Sequence, residues 1–345
     1  MYLFILAICL LLFVSLFIVK RLEKQPGGYN KRVFENAPAN PNKVIGDTAE
    51  EVIKREKVFK TVKSVISYTF LAFMALCMIL PFYWMIATSL KGAVEIDLPT
   101  PTFIPGLGKY ELAVSNFPQA IERLNAGRLI YNTLVVGIVS TIGTVVTTIM
   151  AAFAFSRIKF VGRETIFAAF LATMMIPGEM MVITNYITVT KTAKDIFGPD
   201  GSGIDTYWAM IVPFLISVYY IYLLRQNFKQ IPNELYYAAK VDGTSDFKYL
   251  IKIMVPIALP TIITITILKL MGSWNAYVWP MMVTRDADMR LITTGLRSSF
   301  SDSEGRTAQG LQMAATTVVT LPLLFVFIFL RKYIMRGVSR SGIKG

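Results

Sequence analysis

The residue types that usually carry covalent chemistry are almost missing from this sequence. None of the 345 residues is a histidine, and the two cysteines, Cys9 and Cys77, are far apart in apolar stretches. Histidine is the usual acid–base residue and zinc ligand, and paired cysteines supply disulfides and thiolate sites. The phosphate-binding pattern GxxxxGKS/T is also absent. The sequence therefore predicts no catalytic residue, no metal site and no cofactor, and its function must rest on non-covalent contacts.

The segment best suited to such contacts is residues 228–256, a polar stretch between two long apolar runs. Ile231-Pro232 is expected to end the preceding helix, because proline disfavours α geometry in the residue before it. Asn233 is predicted to cap a short helix through Lys240, and Asp242-Gly243 to end that helix, since glycine takes left-handed geometry at little cost. A second helical stretch has apolar residues at helical spacing, which are Phe247, Leu250, Ile251 and Met254. We expect a helix-turn-helix outside the bilayer and call residues 228–256 the elbow.

The elements that must position this elbow are membrane helices. The chain is 54% hydrophobic and 17% charged, with a mean hydropathy of +0.54, and an apolar run of roughly 20 residues spans a bilayer. The candidate spans are Tyr2–Val19, Val65–Ser89, Leu129–Phe155, Thr165–Val189, Tyr207–Leu224, Ile251–Val283 and Gly310–Leu330. Because these runs are continuously apolar, a membrane barrel with alternating strands is excluded. The predicted fold is an all-α polytopic membrane protein.

Basic residues are distributed unevenly between the segments that link these spans. Those on one side carry 24 Lys and Arg residues, and those on the other carry 10. The first group comprises residues 20–63, 157–163, 225–252 and 331–345. The second comprises residues 91–128, 190–206 and 284–309. Since basic residues are retained in the cytoplasm, we expect a cytoplasmic elbow and C-terminus and an N-terminus outside. The net charge of +13 follows this topology and does not predict binding to nucleic acid.

Four regions follow from composition. Residues 1–20 are predicted to be an uncleaved transmembrane anchor, because no small-residue cleavage site precedes Lys20. Residues 21–63 are polar and charged and form a cytoplasmic linker. Residues 64–335 are the transmembrane domain that carries the elbow, and residues 336–345 are a cytoplasmic tail.

Two predicted spans are interrupted. Pro177-Gly178 breaks the first, within residues 173–179, and residues 272–280 (GSWNAYVWP) interrupt the second. Non-helical backbone at membrane depth is tolerated where protein or a water-filled cavity surrounds it. Glu179 and Lys269 are the ionisable residues well inside the predicted spans, where charge is costly and usually functional. The sequence leaves open whether they pair or whether Lys269 reaches an interface or a partner subunit.

The spacing in the elbow resembles the EAA loop of permease subunits of ABC importers. That pattern is Glu-Ala-Ala, three residues, Gly, nine residues, Ile, any residue, Leu, Pro. The matching positions here are Tyr237-Ala238-Ala239, Gly243, Ile253, Val255 and Pro256. Tyr237 replaces the glutamate of the pattern, and Glu234, one turn earlier on the same helical face, is the candidate to supply its charge. With the two interrupted spans and the Ser-Gly-Ile-Lys-Gly end, the resemblance from about residue 63 onward is to the second permease subunit of maltose-type importers.

This resemblance implies a fold, partners and site residues. It implies a six-helix type I importer core, to which the N-terminal anchor adds one helix, in a bacterial inner membrane. The implied partners are a dimer of ATP-binding subunits, a first-type permease subunit, an extracytoplasmic solute-binding protein and a sugar. The implied ATPase-coupling residues are Glu234, Tyr237, Ala238, Ala239, Lys240, Asp242, Gly243, Ile253 and Pro256. Gly342, Lys344 and Gly345 of the tail are implied to dock on the ATPase; alternatively, the tail's basic residues hold it at the inner leaflet.

The solute pathway is less well defined by the sequence. Aromatic faces stack on sugar rings and asparagine offers a donor and an acceptor. The candidate pathway residues are Glu179, Trp274, Asn275 and Tyr277. Aromatic residues at this depth are equally typical of a belt at the membrane–water boundary. An ion-coupled secondary transporter is the alternative class, because broken helices also occur there, but no convincing internal repeat is present.

Overall fold

The computed structural model describes residues 49–106, 110–197, 203–300 and 308–339, and within these ranges the regular elements are helices. The predicted span Tyr2–Val19, most of the predicted linker 21–63 and residues 340–345 of the predicted tail 336–345 lie outside the described residues, whereas residues 49–63 and 336–339 are helical. The α-helices are α1 (Ala49–Ser89), α2 (Ala93–Ile96), α3 (Asn116–Leu124), α4 (Ala126–Ser156), α5 (Arg163–Thr173), α6 (Gly178–Phe197), α7 (Tyr207–Ile211), α8 (Val218–Lys229), α9 (Asn233–Val241), α10 (Asp246–Tyr249), α11 (Val255–Trp274), α12 (Val278–Val283), α13 (Ile292–Phe300) and α14 (Ala308–Ser339). Short 3₁₀ turns cover Val212–Phe214 and Ala287–Met289, and a π-helical turn covers Leu250–Met254.

Several described helices are long and apolar enough to cross a membrane. They are Val58–Ser89, Ala126–Ser156, Asp246–Trp274 and Gln309–Phe329, and a further pair, Tyr207–Phe214 with Val218–Lys229, is bent by 42°. These helices contain or overlap the predicted spans in the same regions, so the prediction of an all-α polytopic membrane protein is confirmed for the described part of the chain. The predicted span Tyr2–Val19 lies outside it.

The predicted interruptions are present. The run Thr165–Val189 is split into α5 and α6, and the intervening amides of Met174, Met175 and Ile176 bond back three residues instead of four. The run Ile251–Val283 is not one helix, because α11 ends at Trp274 and α12 begins at Val278. Proline and glycine set the first break, since Pro177 cannot donate a helical hydrogen bond.

The described residues form two compact units, one up to Tyr83 and one from Trp84 onward. The first consists of most of α1, a continuous helix that tolerates Pro81 in its interior and exposes many apolar side chains. In the second unit, α4 packs against α8 and α11, and α14 packs against α3 and α11. This arrangement places α4 and α11 at the centre of the unit.

Small residues allow α4 to make close contacts with its neighbours. A Cβ atom at Gly143 of α4 would lie 2.4 Å from Cδ2 of Leu215, and one at Gly295 would lie 2.3 Å from Cδ1 of Leu129. Glycine is therefore required at both contacts unless the leucines move. This is the expected use of small residues in membrane helix packing.

Candidate functional site

The first helix of the elbow begins differently from the prediction. Pro232 occupies the N-cap position with extended backbone, and Asn233 is the first helical residue without a capping side-chain bond. The prediction that Asn233 caps this helix is therefore wrong. Its side-chain oxygen instead accepts a hydrogen bond from Nη1 of Arg157, which lies 76 residues earlier in the chain.

The first helix of the elbow ends as predicted. Gly243 has a φ of +70°, and its amide donates to the carbonyl of Lys240 at 3.0 Å. The next amide, of Thr244, donates to the carbonyl of Ala239 at 2.9 Å. These two bonds form a Schellman motif, which satisfies the last carbonyls of the helix. The turn is therefore built by local bonds, and Ser245 then caps α10 by accepting the amide of Lys248.

The inner face of the elbow joins its two helices. The hydroxyl of Tyr236 donates to Oδ1 of Asp246 at 2.8 Å, and Nζ of Lys240 lies 2.8 Å from the same oxygen. The hydrogen bond to Asp246 holds the pKa of the Lys240 ammonium above its ordinary value. The rings of Tyr236 and Tyr249 meet edge to face at 5.1 Å, and Ala239 is buried between the helices and the core. These contacts join the two helices of the elbow.

Arg157 fastens the elbow to the end of α4. It follows the last residue of that helix and is buried. Nη2 donates to the carbonyls of Phe228 at 2.9 Å and Ile231 at 2.5 Å, and Nη1 donates to Asn233. The guanidinium thus binds the chain where it leaves α8 and enters the elbow. From the sequence, Arg157 was recognisable only as one of the basic residues between two predicted spans.

A second arginine joins α4, α5 and α8 at the same end. Arg225 is 3% exposed, and its Nε donates to the carbonyl of Phe155 at 3.0 Å. Nη2 lies 2.8 and 2.6 Å from the two carboxylate oxygens of Glu164, and the guanidinium is 3.8 Å from the Phe167 ring centre. The hydrogen bond from Arg225 is the main reason that the pKa of Glu164 is lowered. No local sequence pattern indicates this pair, because Arg225 and Glu164 are 61 residues apart.

The outer face of α9 is exposed and largely apolar. Two of its exposed residues, Asn233 and Lys240, bond to Arg157 and Asp246. By helical periodicity, the other exposed residues and the adjoining Asp242 share one side of the helix; they are Glu234, Leu235, Tyr237, Ala238, Val241 and Asp242. We call them the elbow face. Val241 is 89% exposed although it is β-branched and apolar, and Phe247 of α10 is 65% exposed nearby in sequence. Apolar side chains clustered outside a membrane usually mark an interaction surface.

The predicted coupling residues therefore occupy different environments. Glu234, Tyr237, Ala238 and Asp242 belong to the elbow face, and Gly243 is exposed at the turn. The remaining four lie outside the elbow face. In α9, Lys240 pairs with Asp246 and Ala239 is buried. Further along the chain, Ile253 is half-buried in the π-helical turn and Pro256 is exposed at the start of α11. The tail residues Gly342, Lys344 and Gly345 lie outside the described residues.

A polar site surrounds the bend between α7 and α8. The carbonyl of Phe214 accepts the hydroxyl of Thr144 at 2.9 Å, and the carbonyl of Leu215 accepts the hydroxyl of Thr147 at 2.6 Å. Nζ of Lys269 lies 3.2 Å from the Phe214 carbonyl. The threonines and the lysine thus bind carbonyls that the bend removes from helical bonding. The side chain of Glu179, the other candidate partner of Lys269, lies outside what the structure describes.

The aromatic residues proposed for a solute pathway are only partly accessible. Trp274 is 9% exposed and packs in the core with Leu129, Ile292 and Phe300, so its ring is not free to stack on a solute here. Asn275 is exposed at the break after α11, and Tyr277 is half-buried there. Asn275 and Tyr277 therefore supply accessible polar groups at the break between α11 and α12.

Comparison with known proteins places these features in a family. Residues 143–340 match the family described as "Binding-protein-dependent transport system inner membrane component". The chain is 26% identical over 285 residues to the sn-glycerol-3-phosphate transport system permease protein UgpE of Rhizobium meliloti (strain 1021), covering 82% of this chain and 98% of that protein. It is 29% identical over 216 residues to the arabinooligosaccharides transport system permease protein AraQ of Bacillus subtilis (strain 168), covering 62% and 73%.

A solved structure supports the fold. The chain superposes with a TM-score of 0.68 and 19% identity on a chain of a bacterial ABC transporter involved in the import of the acidic polysaccharide alginate. The match covers 81% of this chain and 97% of that chain. At this identity the likeness establishes a shared fold, and it confirms the all-α membrane architecture.

Proposed function

Because the chain belongs to the family of binding-protein-dependent transport system inner membrane components, we propose that it is the membrane-spanning permease subunit of an ATP-driven importer. Its described residues and its sequence contain no phosphate-binding loop. ATP is therefore hydrolysed by separate subunits, and this chain contributes no catalytic residue. The importer is completed by a first-type permease subunit and an extracytoplasmic solute-binding protein. The chain lies in a bacterial inner membrane with its elbow and C-terminus in the cytoplasm.

The observation that carries this proposal is the elbow itself, two helices joined by side-chain contacts and presenting an exposed apolar face. An ATPase groove that received Val241, Tyr237 and Ala238 would bury apolar surface that is otherwise in contact with water. Glu234 and Asp242 at the edges of the elbow face fix the register by charge. The elbow is thus suited to dock as one unit.

Movement of the elbow is transmitted by two neighbouring arginines, Arg157 and Arg225. Arg157 ties it to α4, and Arg225 ties α4 to α8 and, through Glu164, to α5. When ATP binding closes the ATPase dimer, a displacement of the elbow therefore moves the ends of these helices together. The helices rock between an outward-open and an inward-open arrangement. ATP binding reverses the sign of the free-energy difference between these two arrangements.

The solute is a sugar, an oligosaccharide or a related polyol. This proposal is supported by relatives whose names refer to sn-glycerol-3-phosphate and arabinooligosaccharides, and by the alginate transporter of the same fold. Asn275 and Tyr277 are the accessible polar residues proposed for the pathway. The tail residues Gly342, Lys344 and Gly345 are proposed to contact the ATPase.

Affinity purification of the tagged chain from its native membrane tests the proposal. We expect wild type to bring down a P-loop ATPase and a second permease. Val241→Asp places a charge in the proposed interface without disturbing the core, and it should lose the ATPase while keeping the permease. Val161→Asp is the matched control, since Val161 is 100% exposed in the loop between α4 and α5.

Recovery of the chain alone from wild-type membranes would contradict the proposal and favour the secondary transporter. Equal retention of the ATPase by Val241→Asp and Val161→Asp would leave the importer intact but exclude the elbow face as its docking surface.

A further inference from the structure

The lysine at the bend between α7 and α8 has more hydrogen-bonding capacity than the structure uses. Lys269 is half-buried on α11, five residues before the end of that helix, or about 7.5 Å along its axis. Its ammonium group has three donors; among the described residues it meets the Phe214 carbonyl at 3.2 Å and the Phe214 ring, whose centre is 5.8 Å away, while the side chain of Glu179 is not described. No carboxylate whose side chain the structure describes forms an ion pair with it.

The helix bend does not need this charge. A carbonyl oxygen accepts up to two hydrogen bonds, and Thr144 already donates to that of Phe214, while Thr147 donates to that of Leu215. The neutral hydroxyls therefore satisfy both carbonyls. A positive charge in an apolar helix costs a few kcal/mol on insertion scales and usually marks a functional site. The cost of Lys269 is thus not explained by the fold.

The surroundings of Lys269 leave room for a ligand. Gly272 lies one helical turn further along, on the same side of α11, and it is exposed, with no atom within 4 Å of a Cβ built upon it. Ser273, on the same side, meets Ser140 of α4 with 3.3 Å between the hydroxyl oxygens. The side of α11 that carries Lys269 therefore borders open space at Gly272 and a polar helix contact at Ser273.

We propose that Lys269 is the anion-binding residue of the solute pathway and that the imported solute carries a carboxylate or a phosphate group. This inference rests on the proposed function and defines its substrate class. The Phe214 carbonyl is the resting partner of the ammonium, and the flexible side chain exchanges that weak contact for a charge-assisted bond to the solute. A charged solute thereby gains a counter-ion at a depth where water is scarce.

Uptake by the complete importer, purified with its partners and reconstituted in liposomes with its binding protein and ATP, tests the assignment. The probes are sn-glycerol 3-phosphate, a disaccharide containing a uronic acid, and maltose as a neutral sugar. We expect one of the two acidic probes to be imported. Lys269→Gln should lower kcat/KM for that probe roughly tenfold, about the effect of one lost charge-assisted bond, and Lys269→Arg should largely restore it.

A variant at the same bend separates charge from structure. Thr147→Val removes the hydroxyl bonded to Leu215 and leaves the charge in place, and the melting temperature of each complex reports its integrity. Equal losses for Lys269→Gln and Thr147→Val, with lowered melting temperatures in both, would show a structural role and overturn the inference.

Two further outcomes would each overturn the assignment of Lys269. Import of maltose alone, unaffected by Lys269→Gln, would overturn the assignment and leave the proposed function standing. ATP-driven import of none of the probes, from a preparation in which no ATPase co-purifies, would overturn both.

Discussion

At the scale of single residues, the elbow is held by side chains that no local pattern identifies. The motif residues Ala238 and Ala239 are adjacent, yet one is exposed and the other is buried. The attachment to the rest of the chain is made by Arg157 and Arg225, whose partners are about 70 residues away. A motif in this family thus defines a surface, whereas buried arginines couple that surface to the membrane helices.

Arg157 provides a direct test of this coupling. Arg157→Gln removes the charge-assisted bonds to Phe228 and Ile231, and it should destabilise the elbow end by about 3 kcal/mol. The ATPase should still bind, because the elbow face is unchanged, but less solute should be imported per ATP hydrolysed. The ratio of uptake to hydrolysis in liposomes measures this effect. Lys159→Gln, which alters an exposed basic residue in the loop between α4 and α5, should leave the ratio unchanged; equal ratios in both variants would contradict the role of Arg157.

The ion pair of Glu164 predicts a pH dependence. Hydrogen bonding from Arg225, reinforced by Lys229 and Arg163, lowers the pKa of Glu164 below its ordinary value of 4.5. The carboxylate therefore stabilises the fold fully above pH 4.5, and this contribution is lost as the pH falls through the lowered pKa. The difference in melting temperature between wild type and Glu164→Gln should be constant near neutral pH and shrink in acid. Glu122→Gln, at an exposed glutamate of α3, should show no such trend.

At the scale of elements, the breaks in the helices organise the membrane domain. The bend between α7 and α8 exposes the carbonyls of Phe214 and Leu215, and α4 supplies Thr144 and Thr147 to bind them. Gly143, on the same helix, gives Leu215 the space to approach. The hydroxyls of α4 thus satisfy the carbonyls that the bend leaves without helical hydrogen bonds, and Gly143 leaves room for the bend.

The close approach at Gly143 predicts a compensating pair of substitutions. Gly143→Ala forces the Leu215 side chain to move, since the added Cβ would lie 2.4 Å from Cδ2, and it should destabilise the domain by about 2 kcal/mol. Leu215→Ala in the same chain should recover most of that loss. Gly127→Ala is the control, because no atom lies within 4 Å of its Cβ position. Melting temperatures in detergent of these variants and of Leu215→Ala alone measure the coupling, and additive effects of the two single substitutions in the double variant would contradict the packing.

At the scale of the whole molecule, the sequence predicted those features that are encoded locally. Continuous apolar runs specified the spans, Pro177 specified a break, and Gly243 specified the end of α9, because each acts through its own backbone or hydropathy. The prediction for Asn233 failed because a residue 76 positions away, Arg157, takes its side chain. The contact of Lys269 with Phe214, 55 positions apart, was not predictable for the same reason. Contacts between distant residues depend on helix packing, which hydropathy does not determine.

The orientation of the molecule in the membrane is predicted by the distribution of basic residues along the whole sequence. The excess of basic residues predicts that Val161, between α4 and α5, faces the cytoplasm and that Val94, in α2, faces outward. Both side chains are exposed, at 100% and 73%. With Cys9 and Cys77 replaced by alanine, a membrane-impermeant thiol reagent should label Val94→Cys in intact spheroplasts and Val161→Cys only after the membrane is permeabilised. The reverse pattern would place the elbow outside the cell, where no ATP-hydrolysing partner could bind it, and would remove the basis for coupling through the elbow face.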